Sequence, residues 1–322
     1  MRKKALIALG VAVVLVAGAA LLLTQPVTTG ARTGPEVKVD PASLKASVEK
    51  LSVKYSPRDS THSGNLDDAA AWLRQELGHN AVEIRTQEWK VEGYGYWNVI
   101  ASFGPLTPER VVVGAHYDGC GAFPAADDNG SGVAVLIELG KLLAEHPPKN
   151  RVELVAWSLE EPPYFRTESM GSFHHAKQLA ESKVKVRAAI SLESMGYFKD
   201  EEGTQKFPAP GLGLLYSTRA SYLAVVGNLG QIGLTRQVKA AMKSASPLPV
   251  FSINAPVVIP GIDFSDHLNF WKFGYPAVMI TDTAFNRNDN YHQKTDTFDT
   301  LDYPRLAQAT EGVFEAVWQL SQ

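Results

Sequence analysis

From about Asp40 onward the chain alternates short apolar runs, rich in valine and isoleucine, with longer stretches whose apolar residues recur at helical spacing. Residues 41–51 and 66–77 read as amphipathic helices, the second carrying Leu66, Ala69, Ala70, Leu73 and Leu77 on one stripe. Residues 82–89 and 97–103 read as an antiparallel pair of strands. Beyond them, 111–115, 152–159, 186–192, 223–226 and 277–281 predict strands, and 130–144 and 170–179 predict helices. Residues 303–320 close the chain as a helix with Leu306, Ala309, Val313, Val317 and Leu320 on one face. Near-continuous apolar strands alternating with helices predict an α/β fold, a mostly parallel mixed sheet with helices on both faces. No internal repeat appears, and the Pro/Gly-rich stretch 207–213 reads as an excursion from a single domain over residues 40–322.

The first forty residues follow another pattern. Arg2, Lys3 and Lys4 precede the uncharged run 5–23. As a helix that run is about 28 Å long, close to the hydrocarbon thickness of a bilayer. Basic residues on its N-terminal side predict a cytoplasmic tip at 1–4. Residues 5–23 are then a transmembrane signal anchor, or a signal peptide cleaved near Ala31. Either way the following domain is expected outside the cytoplasm, membrane-attached or secreted (periplasmic or extracellular). Residues 24–39, rich in Thr, Gly and Pro, read as a linker.

Composition narrows the field by exclusion. The 322 residues carry 31 Lys and Arg against 34 Asp and Glu, a net charge of −3, without the basic excess of a nucleic-acid binder. One cysteine, Cys120, rules out an intramolecular disulfide framework. No G-x-S-x-G, G-x-G-x-x-G or P-loop string occurs.

The chemistry-bearing residues fall where strands end, the edge at which open α/β sheets bind ligands. His116 and Asp118 follow one strand, Glu160 and Glu161 a second, and Glu193 a third. Asp127 and Asp128 precede the helix that starts near Gly130, and His292 lies in a loop after the last strand. Carboxylates crowded on one rim repel each other unless a cation compensates them. Three carboxylate ligands plus a bridging hydroxide nearly balance two divalent cations. Mixed histidine and carboxylate donors suit zinc and tolerate cobalt or manganese. Adjacent residues in extended chain point to opposite sides, so one of Glu160 and Glu161 can bind metal while the other faces water as general base. Asp118, two residues past His116, suits the holding of an imidazole tautomer. Asp128 reads as a metal-loop residue or as a helix N-cap.

The motifs His116-Tyr117-Asp118, Ala126-Asp127-Asp128-Asn129-Gly130-Ser131-Gly132, Glu160-Glu161, Ile190-Ser191-Leu192-Glu193 and Asn290-Tyr291-His292 occur in that order. The set resembles the co-catalytic zinc aminopeptidase family that includes bacterial secreted leucyl aminopeptidases. Glutaminyl cyclases, glutamate carboxypeptidases and transferrin receptors are relatives. The resemblance covers the chain from about Asp40 to the C-terminus and implies a zinc exopeptidase architecture with two zinc ions. It implies that Asp127 bridges them, that His116 and Glu193 complete one site, and that Glu161 and His292 complete the other. It further implies Glu160 as general base, Asp118 as the residue orienting His116, and a cis peptide between Asp127 and Asp128. Asp266, in Ser265-Asp266-His267, resembles an acidic residue that hydrogen-bonds near the site, and equally reads as a helix N-cap.

The implied activity is zinc-dependent removal of residues from peptide substrates, an aminopeptidase first. The alternatives are a glutaminyl cyclase-like acyltransferase, a carboxypeptidase or dipeptidase, and a non-catalytic receptor-like module. Where many relatives have a short glycine-containing stretch, this chain has Pro162-Pro163-Tyr164-Phe165-Arg166-Thr167. That bulky loop is expected to shape the substrate pocket, and Arg166 is either a recogniser of substrate carboxylate or a surface or internally paired arginine. His174 and His175 are adjacent and lack the spacing of a zinc helix. Cys120 reads as packing rather than as a nucleophile, and Asn129-Gly130-Ser131 as a coincidental glycosylation string.

Overall fold

The structure, a computed structural model, describes residue 14 and residues 17–79 and 81–322. After helical turns over residues 17–24 come two helices, α1 (Pro41–Glu49) and α2 (Ser63–Gly78). Asp40 caps α1 by accepting from the Ala42 N–H at 2.9 Å, and Pro41 opens its first turn. The sheet begins with the hairpin β1 (Glu83–Val91) and β2 (Tyr94–Phe103). Its two-residue turn places Glu92 and Gly93 at φ 52° and 90°, the positive-φ geometry that matches strand twist. Next come β3 (Arg110–His116), α3 (Gly132–Glu145), β4 (Arg151–Trp157), α4 (Gly171–Glu181) and β5 (Val186–Glu193). The chain finishes with β6 (Leu223–Gly227), α5 (Ile232–Ala245), β7 (Val250–Asn254), α6 (His267–Lys272), β8 (Ala277–Thr281) and α7 (Tyr303–Leu320).

The eight strands form one sheet in the order β1-β2-β4-β3-β5-β8-β6-β7. Its centre, β4-β3-β5-β8, is parallel, while β2 joins β4 and β6 joins β8 in antiparallel pairs. Alternation along β3 explains why the sequence shows no polar face there. Val111 and Val113 pack with Leu136, Leu139 and Val313 on one side, and Val112 packs with Leu179 and Phe270 on the other. Helices α4 and α6 cover that second face. The fold is therefore the expected mixed α/β sheet with helices on both faces. The 14-residue α5 and the short elements β7 and α6 were not anticipated from hydropathy. The carboxyl ends of β3, β4, β5 and β8 share one rim, which is where the site forms.

Among the described residues no helix is long and apolar enough to cross a membrane. The run 5–23 lies mostly outside the described residues. The stretch 24–39, expected as a linker, is bound along its length to the domain. Lys239, 1% exposed, donates from Nζ to the carbonyls of Gln25 (2.6 Å) and Thr24 (3.4 Å), and Ser252 Oγ donates to Thr24 O at 3.0 Å. These carbonyls end the helical turns over residues 17–24 and need donors. Burial pulls the Lys239 pKa down to about 8, assisted by Lys243. Gln25 Nε2 donates to Ile232 O and Asn254 Oδ1, and Glu315 Oε1 accepts from the N–H groups of Thr33 (2.7 Å) and Gly34 (3.2 Å). Gly30 lies so close to α5 that a Cβ would come within 2.5 Å of the Ala240 carbonyl. Val37 and Val39 enter the main core.

This strap predicts a stability difference. A chain starting at Lys38 leaves the Lys239 ammonium without its carbonyl partners, and hydrogen bonds to charged groups contribute about 1.5–3 kcal/mol each. Differential scanning calorimetry should find it melting about 5 °C or more below a chain starting at Ala17; equal melting temperatures would assign the strap no energetic role.

Candidate metal centre

Strand β3 delivers His116 to the rim, fully buried, with Nδ1 3.2 Å from the carbonyl oxygen of Asp118 and 3.5 Å from its carboxylate. The Asp118 carboxylate accepts from the backbone N–H groups of Glu160 (3.2 Å) and Glu161 (3.0 Å) just beyond β4. One side chain thus fixes the exit of β3 against the exit of β4. Glu193 ends β5, and its Oε2 accepts from Ser265 Oγ at 2.7 Å.

The turn 126–131 carries the Asp127-Asp128 pair into the centre. Asp128 Oδ1 lies 3.3 Å from His116 Nε2, and Asp128 Oδ2 lies 3.0 Å from His292 Nε2. On the His116 side, Glu193 Oε2 is 3.3 Å from Nε2 and Glu160 Oε2 is 3.9 Å away. On the His292 side, Glu161 Oε2 is 3.2 Å from Nε2. The structure therefore brings His116, Glu160, Glu161, Glu193 and His292 together around one carboxylate, with Asp118 behind them.

That carboxylate is not Asp127. Both Asp127 oxygens are already bound to protein: Oδ1 accepts from Gly196 N (2.9 Å) and Ser131 Oγ (3.2 Å), and Oδ2 accepts from Asn288 Nδ2 (2.8 Å). Asp127 holds the turn from beneath, while Asp128 presents its oxygens to the two imidazoles. The cis peptide likewise lies one bond later than expected, between Asp128 and Asn129.

Three residues outside the motifs maintain this turn. Asp296 accepts from the N–H groups of Asp127 (2.9 Å) and Asp128 (3.2 Å), and Asn288 holds Asp127. Arg58, fully buried, donates to the carbonyls of Tyr117 (2.8 Å), Pro124 (2.6 Å) and Ala125 (2.5 Å), tying down the loop between β3 and the turn. Asn129 Nδ2 donates to Leu192 O at 2.8 Å; wholly buried, it is no sugar acceptor. Gly132 permits this approach, since a Cβ there would meet Asn129 Oδ1 at 2.3 Å. A sequence clue existed for Asn288 and Asp296, which flank the His292 motif; Arg58 had none.

Other candidates take structural places. His175 receives the Trp157 Nε1–H at 3.3 Å and faces Glu153, and His174 stacks on Trp89. Arg166, half-exposed, pairs with Asp263 and lies over Phe165 and Phe264, the place of a paired surface arginine. The loop 162–167 reaches the pocket only indirectly, Phe165 meeting Phe264 edge-on. Asp266 is fully buried and neither of its oxygens has a hydrogen-bond partner.

The electrostatics describe an overcrowded anion cluster. Burial, reinforced by Glu193 and Glu161, holds Glu160 well above the usual carboxylate range. Burial next to Asp128 pushes Glu161 up to about 8; burial near Glu193 takes Asp266 to about 7, and burial near Asp127 takes Asp296 to about 8. Asp128 is the exception, since against its burial His116 and His292 hold it far below its ordinary value. Both histidines are correspondingly raised despite burial, His116 by Glu193 and Glu160, His292 by Asp128 and Glu161. His116 Nε2, Asp128 Oδ1 and Glu161 Oε1 are buried without a hydrogen-bond partner, and one ligand atom from each of these residues lies within 4.8 Å of the others. Unpaired nitrogen and oxygen donors converging this closely fit divalent metal, and the carboxylate–imidazole mixture fits zinc.

Comparison with known proteins agrees with the geometry. The model of Peptidase family M28 matches residues 98–317. An uncharacterized Escherichia coli protein, YfbL, is 41% identical over 286 residues, covering 86% of this chain and 88% of that one. Leucine aminopeptidase 1 of Ajellomyces dermatitidis is 24% identical over 271 residues, covering 79% of this chain and 64% of its own. Among solved structures, the zinc aminopeptidase BSAP from Bacillus subtilis aligns with a TM-score of 0.72 at 15% identity, over 88% of this chain and 96% of that one. A glutaminyl cyclase of Bacteroides thetaiotaomicron aligns with a TM-score of 0.66 at 16% identity, over 88% and 99%.

The raised carboxyl values fix a pH dependence. Groups whose folded pKa exceeds the unfolded one stabilise fully below the unfolded value and lose that contribution as pH rises through the folded value. Glu161, Asp266 and Asp296 place the loss between about pH 4 and 8, and the raised histidines act with the same sign. The melting temperature of metal-free protein should fall steadily from pH 5 to pH 8, and saturating zinc should flatten the slope. A metal-free profile that is level or rising over that range contradicts the cluster as described.

Proposed function

The chain belongs to peptidase family M28, and from that premise we propose that it is a zinc-dependent aminopeptidase holding two ions on either side of Asp128. One observation carries the reading: a single buried carboxylate with an imidazole off each oxygen and a further glutamate beside each imidazole. In this proposal His116 and Glu193 hold one ion, His292 and Glu161 the other, and Asp128 both. Three ligand carboxylates and two neutral histidines leave a charge that two divalent cations offset, with room for one anion.

Bound there, zinc supplies Lewis acidity that polarises a scissile carbonyl and lowers the pKa of water toward about 7. Glu160 is the general base. It lies within reach of the His116 side yet takes no close imidazole contact of its own, which leaves its carboxylate open to take a proton from water and return it to the departing amine. Asp118 positions the pair, fixing His116 through its own carbonyl and both glutamate backbones through its carboxylate. Beside Glu193 opens a cavity of about 100 Å³ lined by Phe207, Tyr216, Phe251, Phe264, Met279 and Phe285. The excursion after β5 forms part of its wall. An apolar or aromatic N-terminal side chain suits it. The basic-then-apolar start of the sequence supports action outside the cytoplasm.

The pairing of Arg166 with Asp263 favours the aminopeptidase over the carboxypeptidase alternative, whose candidate recognition group it was. Glu160→Gln should retain metal and lower turnover of N-terminal leucine or phenylalanine peptides by about 10²–10⁴-fold. Mass spectrometry of a peptide mixture treated with zinc-loaded protein should show single residues leaving from the amino end. Shortening from the carboxyl end, or ammonia loss from N-terminal glutamine alone, would replace this reading with another, and an unaffected Glu160→Gln would remove the base.

A further inference from the structure

Cys120 follows Asp118 by two residues, in the loop that Arg58 ties down, and is half-buried. Its Sγ, a carboxylate oxygen of Glu161 and a ring nitrogen of His292 all lie within 4.8 Å of one another. Glu161 is only 4% exposed and its Oε1 has no hydrogen-bond partner, so the group beside the sulfur carries a buried oxygen with unused donor capacity. A cysteine serving only as packing sits among apolar atoms; this one faces an imidazole and a carboxylate.

We propose that Cys120 is a thiolate donor at the His292–Glu161 corner, tuning that position toward thiophilic divalent ions. The inference rests on the two-ion reading of the site. Zinc lies about 2.3 Å from a thiolate sulfur and about 2.0–2.2 Å from imidazole nitrogen or carboxylate oxygen, so donors this close share one ion after small side-chain rotations. As the sulfur–metal bond forms, the thiol proton passes to solvent. A soft sulfur in an otherwise hard oxygen and nitrogen set favours zinc, cobalt and cadmium over manganese and magnesium. The two ion positions then differ in kind: one is bound by histidine and carboxylates alone, the other also by sulfur.

Cobalt(II) titrated into metal-free wild-type protein and into Cys120→Ser distinguishes the outcomes. Wild type should take up two equivalents and develop a near-ultraviolet sulfur-to-cobalt charge-transfer band. The serine variant should lack the band, bind its second cobalt at least tenfold more weakly, and lose at least tenfold of the preference for cadmium over manganese. Bound cobalt should also slow alkylation of wild-type Cys120 by iodoacetamide at least tenfold, a readout that needs no variant. Two cobalt ions bound with no sulfur band and unchanged alkylation would overturn the assignment of Cys120 while leaving the two-ion site intact. Failure of wild type to bind cobalt would overturn both.

Discussion

Four carboxylates, those of Asp128, Glu160, Glu161 and Glu193, each nine-tenths or more buried, converge on two imidazoles at the rim where the parallel strands end. Burial removes the water that would screen them, so in the protein alone the charge can be relieved only by protonation or by cations. The upward shifts of Glu160, Glu161 and Glu193, and of Asp266 and Asp296 behind them, are what that conflict looks like in a metal-free chain. The rest of the architecture serves to keep these groups from moving apart.

Restraint comes from backbone contacts as well as ligand side chains. Parallel strands β3, β4 and β5 deliver His116, the glutamate pair and Glu193 to one rim because register sets their ends side by side. Asp118 pins the exit of β4, Asp296 the two N–H groups of the acidic pair, Asn129 the end of β5, and Arg58 the loop between β3 and the turn. These partners lie far apart in sequence, so the cluster is rigid only when the whole sheet is formed. Groups held this way keep their positions before any ligand arrives.

Strands buried on both faces were plain in the sequence because nothing polar interrupts them; Val111 to Ala115 is one such run. The rim was legible for the same reason, since polar residues stand out where such runs stop. Less visible was α5, whose face toward the strap includes the buried Lys239, a residue that hydropathy assigns to solvent. Residues 24–39 resemble a linker by composition, yet their carbonyls and N–H groups are consumed by Lys239 and Glu315 some 200 to 280 positions away. Between Asp127 and Asp128 the residue type is identical. Which carboxylate faces the histidines depends on where Gly196 and Asn288 place their donors, and no local pattern encodes that.

Anomalous diffraction from crystals of the zinc-loaded protein tests the central claim most directly. Two zinc peaks are predicted, one within about 2.0–2.2 Å of each Asp128 carboxylate oxygen, the first also bonded to His116 and Glu193 and the second to His292 and Glu161. A single peak, or zinc bonded to Asp127 with Asp128 left free, would contradict the account.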